Sequence, residues 1–193
     1  MKLLLSISTL TLLSATLLFA TPQDEDAKIQ ETIKLGDSSA KILLETLQSK
    51  MKEQLKDGDL MKTLHFCSDS AYNLTQEVSD KLPNGVTVKR ISLKFRNPAN
   101  APKEDEAKVL ESFEKLKNSN AELPKNFVEK VDANRYKYYK PLVINNDVCL
   151  KCHGKQSKDV EFKRALAERY PLDNAMGYEM GDVRGAVVVE VQY

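Results

Sequence analysis

Apolar residues recur at spacings of three and four along a stretch from Asp26 to about Leu55 that has no proline and one glycine. They are Ile29, Ile33, Ala40, Leu43, Leu44, Leu47, Met51 and Leu55. Such spacing predicts a long amphipathic helix. The polar segment Lys56–Asp59 interrupts the pattern, and Asp59 is a residue type that caps helix N-termini. We therefore expect a second helix to begin near Leu60.

The second helix is predicted to continue to about Asp80, because apolar residues again recur at spacings of four and three. These residues are Leu60, Leu64, Cys67, Ala71, Leu74 and Val78. Cys67 therefore lies in the middle of the stripe that should face the core. His65 precedes it by two residues, which is about 200° around a helix, so its side chain should point away from that stripe.

Short strand and helix patterns share the rest of the chain. β-branched and alternating apolar residues predict strands at Val86–Phe95, Arg135–Ile144 and Arg184–Tyr193. Pro141 within the second of these indicates a sheet edge or a bulge. Helical patterns cover Lys103–Asn118 and Asp159–Pro171. Two helices followed by mixed strands and helices predict an α+β fold.

Residues 1–20 contain one charge, at Lys2, followed by an uncharged run that ends at Ala20. This pattern is typical of a secretory signal peptide. An uncleaved membrane anchor is the alternative, but the run is slightly short of the roughly 18 apolar residues of a spanning helix and is diluted by Ser and Thr. We expect cleaved export to the periplasm or the medium without stable membrane insertion afterwards. The mature chain would begin with the long helix in residues 21–59.

The charges of the chain are nearly balanced, with 29 basic against 28 acidic residues. A dedicated nucleic-acid-binding protein needs a basic excess to displace phosphate counterions. We therefore expect no nucleic-acid partner.

Two of the three cysteines and one of the two histidines lie within five residues, as Cys149, Cys152 and His153. In this C-x-x-C-H spacing the two cysteines can bond covalently to a haem, and the adjacent histidine can bind its iron. Export favours this interpretation, because such attachment takes place outside the cytoplasm in bacteria. An odd number of cysteines in an oxidising compartment also indicates chemistry other than disulfides alone.

Three other interpretations of the motif stay open. A zinc site needs two more soft ligands, and only Cys67 and His65 are left, on opposite faces of their predicted helix. A redox dithiol requires C-x-x-C at the start of a helix, and here the aromatic and proline context of thioredoxin-like proteins is missing from the sequence. A plain structural disulfide is the third interpretation.

Four segments of the chain follow the order of a known family: FCSDSA from Phe66, RNPANAP from Arg96, CLKCHG from Cys149 and MGYEMGDVRG from Met176. The chain resembles the PAS-like c-type haem domain family, roughly over residues 60–193. The resemblance implies a PAS-like antiparallel sheet with flanking helices and one covalently bound haem c. Members of this family occur alone as exported proteins or as sensor modules of receptors and kinases.

The resemblance also implies roles for individual residues. By position in the family, Cys149 and Cys152 hold the haem and His153 is the proximal iron ligand. Cys67 matches the cysteine that supplies the opposite axial ligand. One alternative to this role is that Cys67 is an inert buried thiol. The other is that His65 binds the iron in its place.

The RNPANAP segment resembles the family loop that lies near the haem. Arg96 could pair with a haem propionate there, and Asn97 and Asn100 could donate hydrogen bonds. A capped turn before the following helix explains the same residues equally well. The sulfur atoms of Met176 and Met180 could in principle reach the haem iron, although each methionine lies in a glycine-containing loop.

An iron bound by both His153 and Cys67 would have no free site, which favours electron transfer or redox and gas sensing over catalysis. One alternative is a haem peroxidase-like enzyme, which needs an open distal side with an acid–base group such as His65. The other is a haemless PAS-like ligand-binding module. We expect an unidentified redox partner or signalling protein as the partner. The long N-terminal helix could also form a homodimer, although packing on its own domain explains its stripe as well.

Overall fold

A four-stranded antiparallel sheet with strand order β1-β4-β3-β2 forms the centre of the fold. The computed structural model describes residues 22–155 and 160–193. The strands are β1 (Val86–Ile91), β2 (Phe127–Lys130), β3 (Arg135–Val143) and β4 (Val183–Gln192). The helices are α1 (Pro22–Gln54), α2 (Leu60–Asp69), α3 (Ala71–Asp80), α4 (Glu104–Asn118), α5 (Asp147–His153) and α6 (Val160–Arg169), and a short 3-10 helix covers Pro98–Asn100. The predicted α+β class is confirmed.

The predicted signal peptide, residues 1–20, lies outside the described residues. Within residues 22–155 and 160–193, no helix combines the length and the apolar character that crossing a membrane requires.

Helix α1 packs on strands β3 and β4 through the stripe that its periodicity predicted. Ala40 and Leu43 on this stripe are completely buried. At Gly36 the helix lies so close to the sheet that an added Cβ atom would be 2.2 Å from Cγ of Tyr138. The Tyr138 hydroxyl donates a hydrogen bond of 2.5 Å to Asp37. These contacts join the long helix to the sheet as one layer of the domain.

The prediction of a single helix over residues 60–80 is wrong, because two helices, α2 and α3, meet at Ser70. Ser and Asp side chains hydrogen-bond to nearby backbone and so compete with helical hydrogen bonding. The run Ser68–Ser70 consists of these residue types, and the Ser68 hydroxyl donates to the backbone oxygen of His65 at 3.1 Å. The helix is therefore interrupted at this run and restarts at Ala71.

The sheet differs from the prediction at two strands. The predicted strand Val86–Phe95 is too long, since β1 ends at Ile91 and the Ser92 N–H donates to the oxygen of Asn100 at 3.0 Å instead of continuing the sheet. Strand β2 was not predicted, because its four residues are extended only through pairing with Tyr136–Tyr139 of β3. Helix α1 begins at Pro22, four residues before the predicted start at Asp26, and the remaining predicted strands and helices agree with the structure within two residues at each end.

The two faces of the sheet carry different cores. Helices α1 and α3 cover one face, where Val86 and Val88 of β1 belong to the main apolar cluster. Helix α4 covers the other face and contributes Glu106, which is completely buried. The Oε1 atom of Glu106 lies 2.8 Å from Nζ of Lys89 and 3.5 Å from Nζ of Lys137. This second face is therefore held partly by a buried ion cluster.

Helices α2, α5 and α6 gather at the end of the sheet where β1 and β3 stop. Helix α2 contacts α1, α3 and α6, and α5 follows β3 after a short loop. The residues predicted to carry the chemistry of the protein lie at this end.

Candidate functional site

A cavity of about 260 Å³ opens between α1, α2, α5 and the ends of the strands. Much of its wall is apolar, with Leu44, Leu64, Leu142 and Phe162 as examples. A concave, mainly apolar space with a few polar groups is the usual form of a cofactor site. The thiol, imidazole and guanidinium groups that line it belong to Cys67, Arg90, Arg96, Cys149, Cys152, His153 and Arg184. The cavity thus brings together the C-x-x-C-H motif and Cys67.

The C-x-x-C-H motif forms the short helix α5, which the sequence analysis did not assign. The Asn146 side chain caps this helix by accepting a hydrogen bond from the Val148 N–H at 2.9 Å. At the other end, the Tyr178 N–H donates to the His153 oxygen at 2.9 Å, and Gly154 forms an isolated parallel β-bridge with Tyr178. Both ends of the motif are therefore fixed by neighbouring segments.

Cys67 lies on α2, lines the same cavity as α5 and is half-buried. Cys67 was predicted in the middle of the stripe that faces the core, and on that side of the helix its side chain lines the cavity. His65 is exposed and does not line the cavity, as its position on the helix wheel predicted.

The partner of the His153 ring determines which of its nitrogens carries a proton. Nδ1 lies 2.8 Å from the backbone oxygen of Ala175. A carbonyl oxygen only accepts, so Nδ1 donates and the neutral ring keeps a lone pair on Nε2. Burial lowers the pKa of His153 well below its usual value, and the charges of Arg184 and Arg96 lower it further. His153 is therefore neutral, the form in which imidazole binds a metal.

The three thiols are free, and burial raises the pKa of each of them. The pKa of Cys152 rises to about 11. The charges of Arg90 and Arg96 lower the pKa of Cys67 but do not outweigh its burial. Catalytic redox cysteines need a lowered pKa, so this environment disfavours the redox-dithiol interpretation of the motif.

Arg96 connects the motif to the loop that follows α6. Its Nε atom lies 3.2 Å from Asp173 Oδ1 in an ion pair that is almost entirely buried. Its Nη2 atom donates to the backbone oxygen of Cys152 at 2.7 Å and approaches the oxygen of Ala175 at 3.4 Å. Arg96 lines the cavity as expected, but much of its hydrogen-bonding capacity is used to position α5 and the acceptor of His153.

The two asparagines of the RNPANAP segment differ in position. Asn97 caps the short 3-10 helix by accepting from the Ala99 N–H at 2.9 Å. Asn100 lines the cavity. Of the two methionines considered as ligands, Met180 is exposed and Met176 receives a hydrogen bond of 3.3 Å on its sulfur from Arg96. Neither methionine lines the cavity.

Sequence reasoning missed Arg90 and Arg184, which both line the cavity. A signal for Arg90 was present, because side chains alternate along a strand and Arg90 follows Val86 and Val88 on the face that holds the main apolar cluster. A cation on the core face of a strand needs a partner. Arg184 follows a glycine-rich loop, and only the folded arrangement brings it to the cavity.

Comparison with known proteins places the chain in a family. A family model described as Tll0287-like matches residues 27–192. The chain is also similar to a solved structure described as the crystal structure of the cyanobacterial heme-protein Tll0287, with 23% identity and a TM-score of 0.57, over 90% of this chain and 97% of that chain. No curated protein matches. The family match covers most of the chain and confirms the resemblance that its motifs indicated.

Proposed function

Because the chain belongs to the Tll0287-like family, we propose that it is an exported c-type haem protein with one covalent haem c. Cys149 and Cys152 would hold the group, while His153 and Cys67 would bind its iron. A haem bound in this way supplies one-electron redox chemistry. The similarity to a solved structure described as a heme-protein supports haem binding. Export rests on the pattern of residues 1–20.

The observation that carries this proposal is that Cys67 and the C-x-x-C-H motif line one cavity. They come from α2 and α5, which are far apart in the sequence. Neither the spacing of the motif nor the helical periodicity around Cys67 requires them to meet. Their meeting is what a haem with one covalent attachment motif and a second protein ligand needs.

The groups around the cavity fit a haem in three respects. Cys149 and Cys152 are free thiols available for covalent attachment, and His153 keeps Nε2 as a lone-pair donor because Nδ1 donates to Ala175. Apolar walls suit a porphyrin and exclude water. The guanidinium groups that line the cavity suit its carboxylates.

Electron transfer is the role that these residues support best. A thiolate from Cys67 and the imidazole of His153 would both bind the iron, which leaves little room for a substrate. Thiolate donation stabilises ferric iron, so a low reduction potential is expected. His65, the acid–base group of the peroxidase-like alternative, is exposed and away from the cavity wall. Its position does not favour that alternative.

Redox or gas sensing is the second candidate, and one observation favours it. Cys67 belongs to α2, which packs against α1, and α1 itself lines the cavity with Leu44 and Met51. A change in ligation by Cys67 would therefore reach the long helix directly. A redox partner or a signalling protein, or a second copy of the chain, would then receive the change.

The test is to express the mature protein in a host with c-type cytochrome maturation and to record spectra of the wild type and of Cys67→Ala. Haem should stay attached after acid–acetone extraction, and thiolate charge-transfer bands of the ferric protein should disappear in Cys67→Ala. A colourless wild-type protein would contradict haem binding. Ferrous spectra with and without carbon monoxide separate the two roles, because an unchanged spectrum supports electron transfer and a new carbon monoxide complex supports sensing.

A further inference from the structure

Three guanidinium groups surround the candidate haem cavity, those of Arg90, Arg96 and Arg184. They are close enough to affect one another, since the charge of Arg184 lowers the pKa of Arg90 and the charge of Arg96 lowers the pKa of Arg184, in both cases after the larger effect of burial. Among the described residues, one ion pair is formed by these groups, that of Arg96 with Asp173. The cavity wall thus carries an excess of positive charge.

Arg90 is the least satisfied of the three. Its Nε atom is buried and has no hydrogen-bond partner within the described part of the chain. Its Nη2 atom reaches Thr75 Oγ1 only at 3.5 Å. A buried charged group without a partner is costly, so this side chain is incomplete without a ligand in the cavity.

Arg184 is oriented towards the same space by its own contacts. Its Nη1 atom donates to Ser92 Oγ at 2.7 Å and to the oxygen of Lys94 at 3.2 Å. Its guanidinium carbon lies 5.3 Å from the centre of the Tyr178 ring. Strands β1 and β4 pair next to it, with Ile91 opposite Ala186, which brings Arg184 to the end of the strand that carries Arg90.

We propose that Arg90 and Arg184 together form the binding site for the propionate carboxylates of the haem, an inference that rests on the proposed function. The planar guanidinium group donates two parallel hydrogen bonds to a carboxylate, and such charge-assisted pairs are strong. Among the described residues, Asp173 forms an ion pair with one of the three arginines, so two positive charges of the cavity wall have no carboxylate partner. A haem carries two carboxylates. Arg96, with its donors on Asp173 and the backbone, positions α5 instead.

A competing role for Arg90 is a hydrogen bond to the Cys67 thiolate. Both side chains line the cavity, and the charge of Arg90 lowers the pKa of Cys67, although burial has the larger and opposite effect. The two roles predict different spectroscopic changes. Loss of a propionate partner changes the propionate bending bands of the haem, whereas loss of a thiolate partner changes the thiolate-to-iron charge-transfer bands.

The experiment compares holoprotein variants by resonance Raman and absorption spectroscopy, with Arg90→Gln, Arg90→Lys and Arg184→Gln as the variants. Arg135→Gln is the matched control, because Arg135 is exposed and pairs with Asp132 away from the cavity. We expect the propionate bending bands to shift to lower frequency in Arg90→Gln and Arg184→Gln, less in Arg90→Lys, and not at all in Arg135→Gln. Propionate bands that stay at the wild-type frequency in Arg90→Gln overturn the proposal, whether or not the charge-transfer bands move.

Thermal unfolding provides the second measurement and guards against a purely structural effect. Arg90→Gln should lower the unfolding midpoint of the holoprotein but not that of a haem-free protein made with Cys149→Ala and Cys152→Ala. An equal loss in both forms overturns the proposal, because Arg90 would then serve the fold alone. A colourless wild-type protein contradicts the proposed function itself and is seen before any Arg90 variant is compared.

Discussion

The Nδ1 atom of His153 lies 2.8 Å from the backbone oxygen of Ala175, and Arg96 Nη2 approaches the same oxygen at 3.4 Å. Asp173 completes the arrangement by accepting hydrogen bonds from Arg96 Nε at 3.2 Å and from the Ala175 N–H at 2.9 Å. The orientation of the histidine therefore depends on a buried ion pair that lies outside the C-x-x-C-H motif. Partners of this kind fix the tautomer of a metal-binding histidine.

Asp173→Asn should destabilise the protein by about 3 kcal/mol, because it leaves the buried charge of Arg96 without its carboxylate. The free energy of unfolding is measured with urea on wild type and variant. Asp57→Asn is the control, since Asp57 forms an exposed pair with Lys62 and exposed pairs contribute little. Equal stability of Asp173→Asn and wild type would show that the ion pair does not hold the loop.

Gly36→Ala should destabilise the protein by about 1–3 kcal/mol through overpacking. The new Cβ atom would lie 2.2 Å from Cγ of Tyr138, so α1 has to move away from the sheet. Ser38→Ala on the exposed face of the same helix is the control, and alanine is the better helix former there. Urea unfolding measures both, and a Gly36→Ala protein as stable as Ser38→Ala would contradict the close packing.

Glu106→Gln should lower the free energy of unfolding at pH 7 by about 3 kcal/mol, because Lys89 and Lys137 lose their buried partner. Burial raises the pKa of Glu106, but hydrogen bonds from Lys89 and the Lys103 N–H and the charges of Lys89 and Lys137 outweigh it and hold this pKa below its usual value. A lowered pKa in the folded state stabilises above the unfolded pKa of about 4.3. This stabilisation is lost as the pH falls through the folded pKa.

The stability difference between wild type and Glu106→Gln should therefore be full at pH 7 and shrink below about pH 4. Urea unfolding at a series of pH values measures it. Glu104→Gln, two residues earlier in the exposed pair with Lys108, should change stability little at any of these pH values. A difference that stays constant down to low pH would mean that the charge of Glu106 is not what stabilises the cluster.

His65→Ala should leave the absorption spectrum of the holoprotein unchanged in both oxidation states. The reason is that His65 is exposed and does not line the cavity, whereas Cys67, two residues further along α2, does. Absorption spectra of His65→Ala and Cys67→Ala, recorded under the same conditions, test whether only the second substitution changes the spectrum. A changed spectrum, or peroxide turnover that His65→Ala abolishes, would support the peroxidase-like alternative instead.

Elements with a strong local pattern were predictable from the sequence. Helices α1, α4 and α6 and strands β3 and β4 follow from apolar periodicity, which reflects which side chains each element buries. The early end of β1 and the short strand β2 were not, because each depends on a partner elsewhere in the chain. The break at Ser70 was missed because apolar periodicity does not register the local hydrogen bonding of the Ser68–Ser70 run. Local sequence does not specify what a backbone group will meet once the chain is folded.

The C-x-x-C-H spacing and the odd number of cysteines are evident from the order of residues alone, and helical geometry is enough to predict that His65 and Cys67 point in opposite directions. The folded chain is needed to bring Cys67 and the motif to one cavity, to connect Arg96 with His153 through Ala175, and to place Arg90 and Arg184 on the cavity wall. These relationships join segments that are distant in the sequence. The packing of helices on a twisted sheet sets them, and no local pattern encodes that packing.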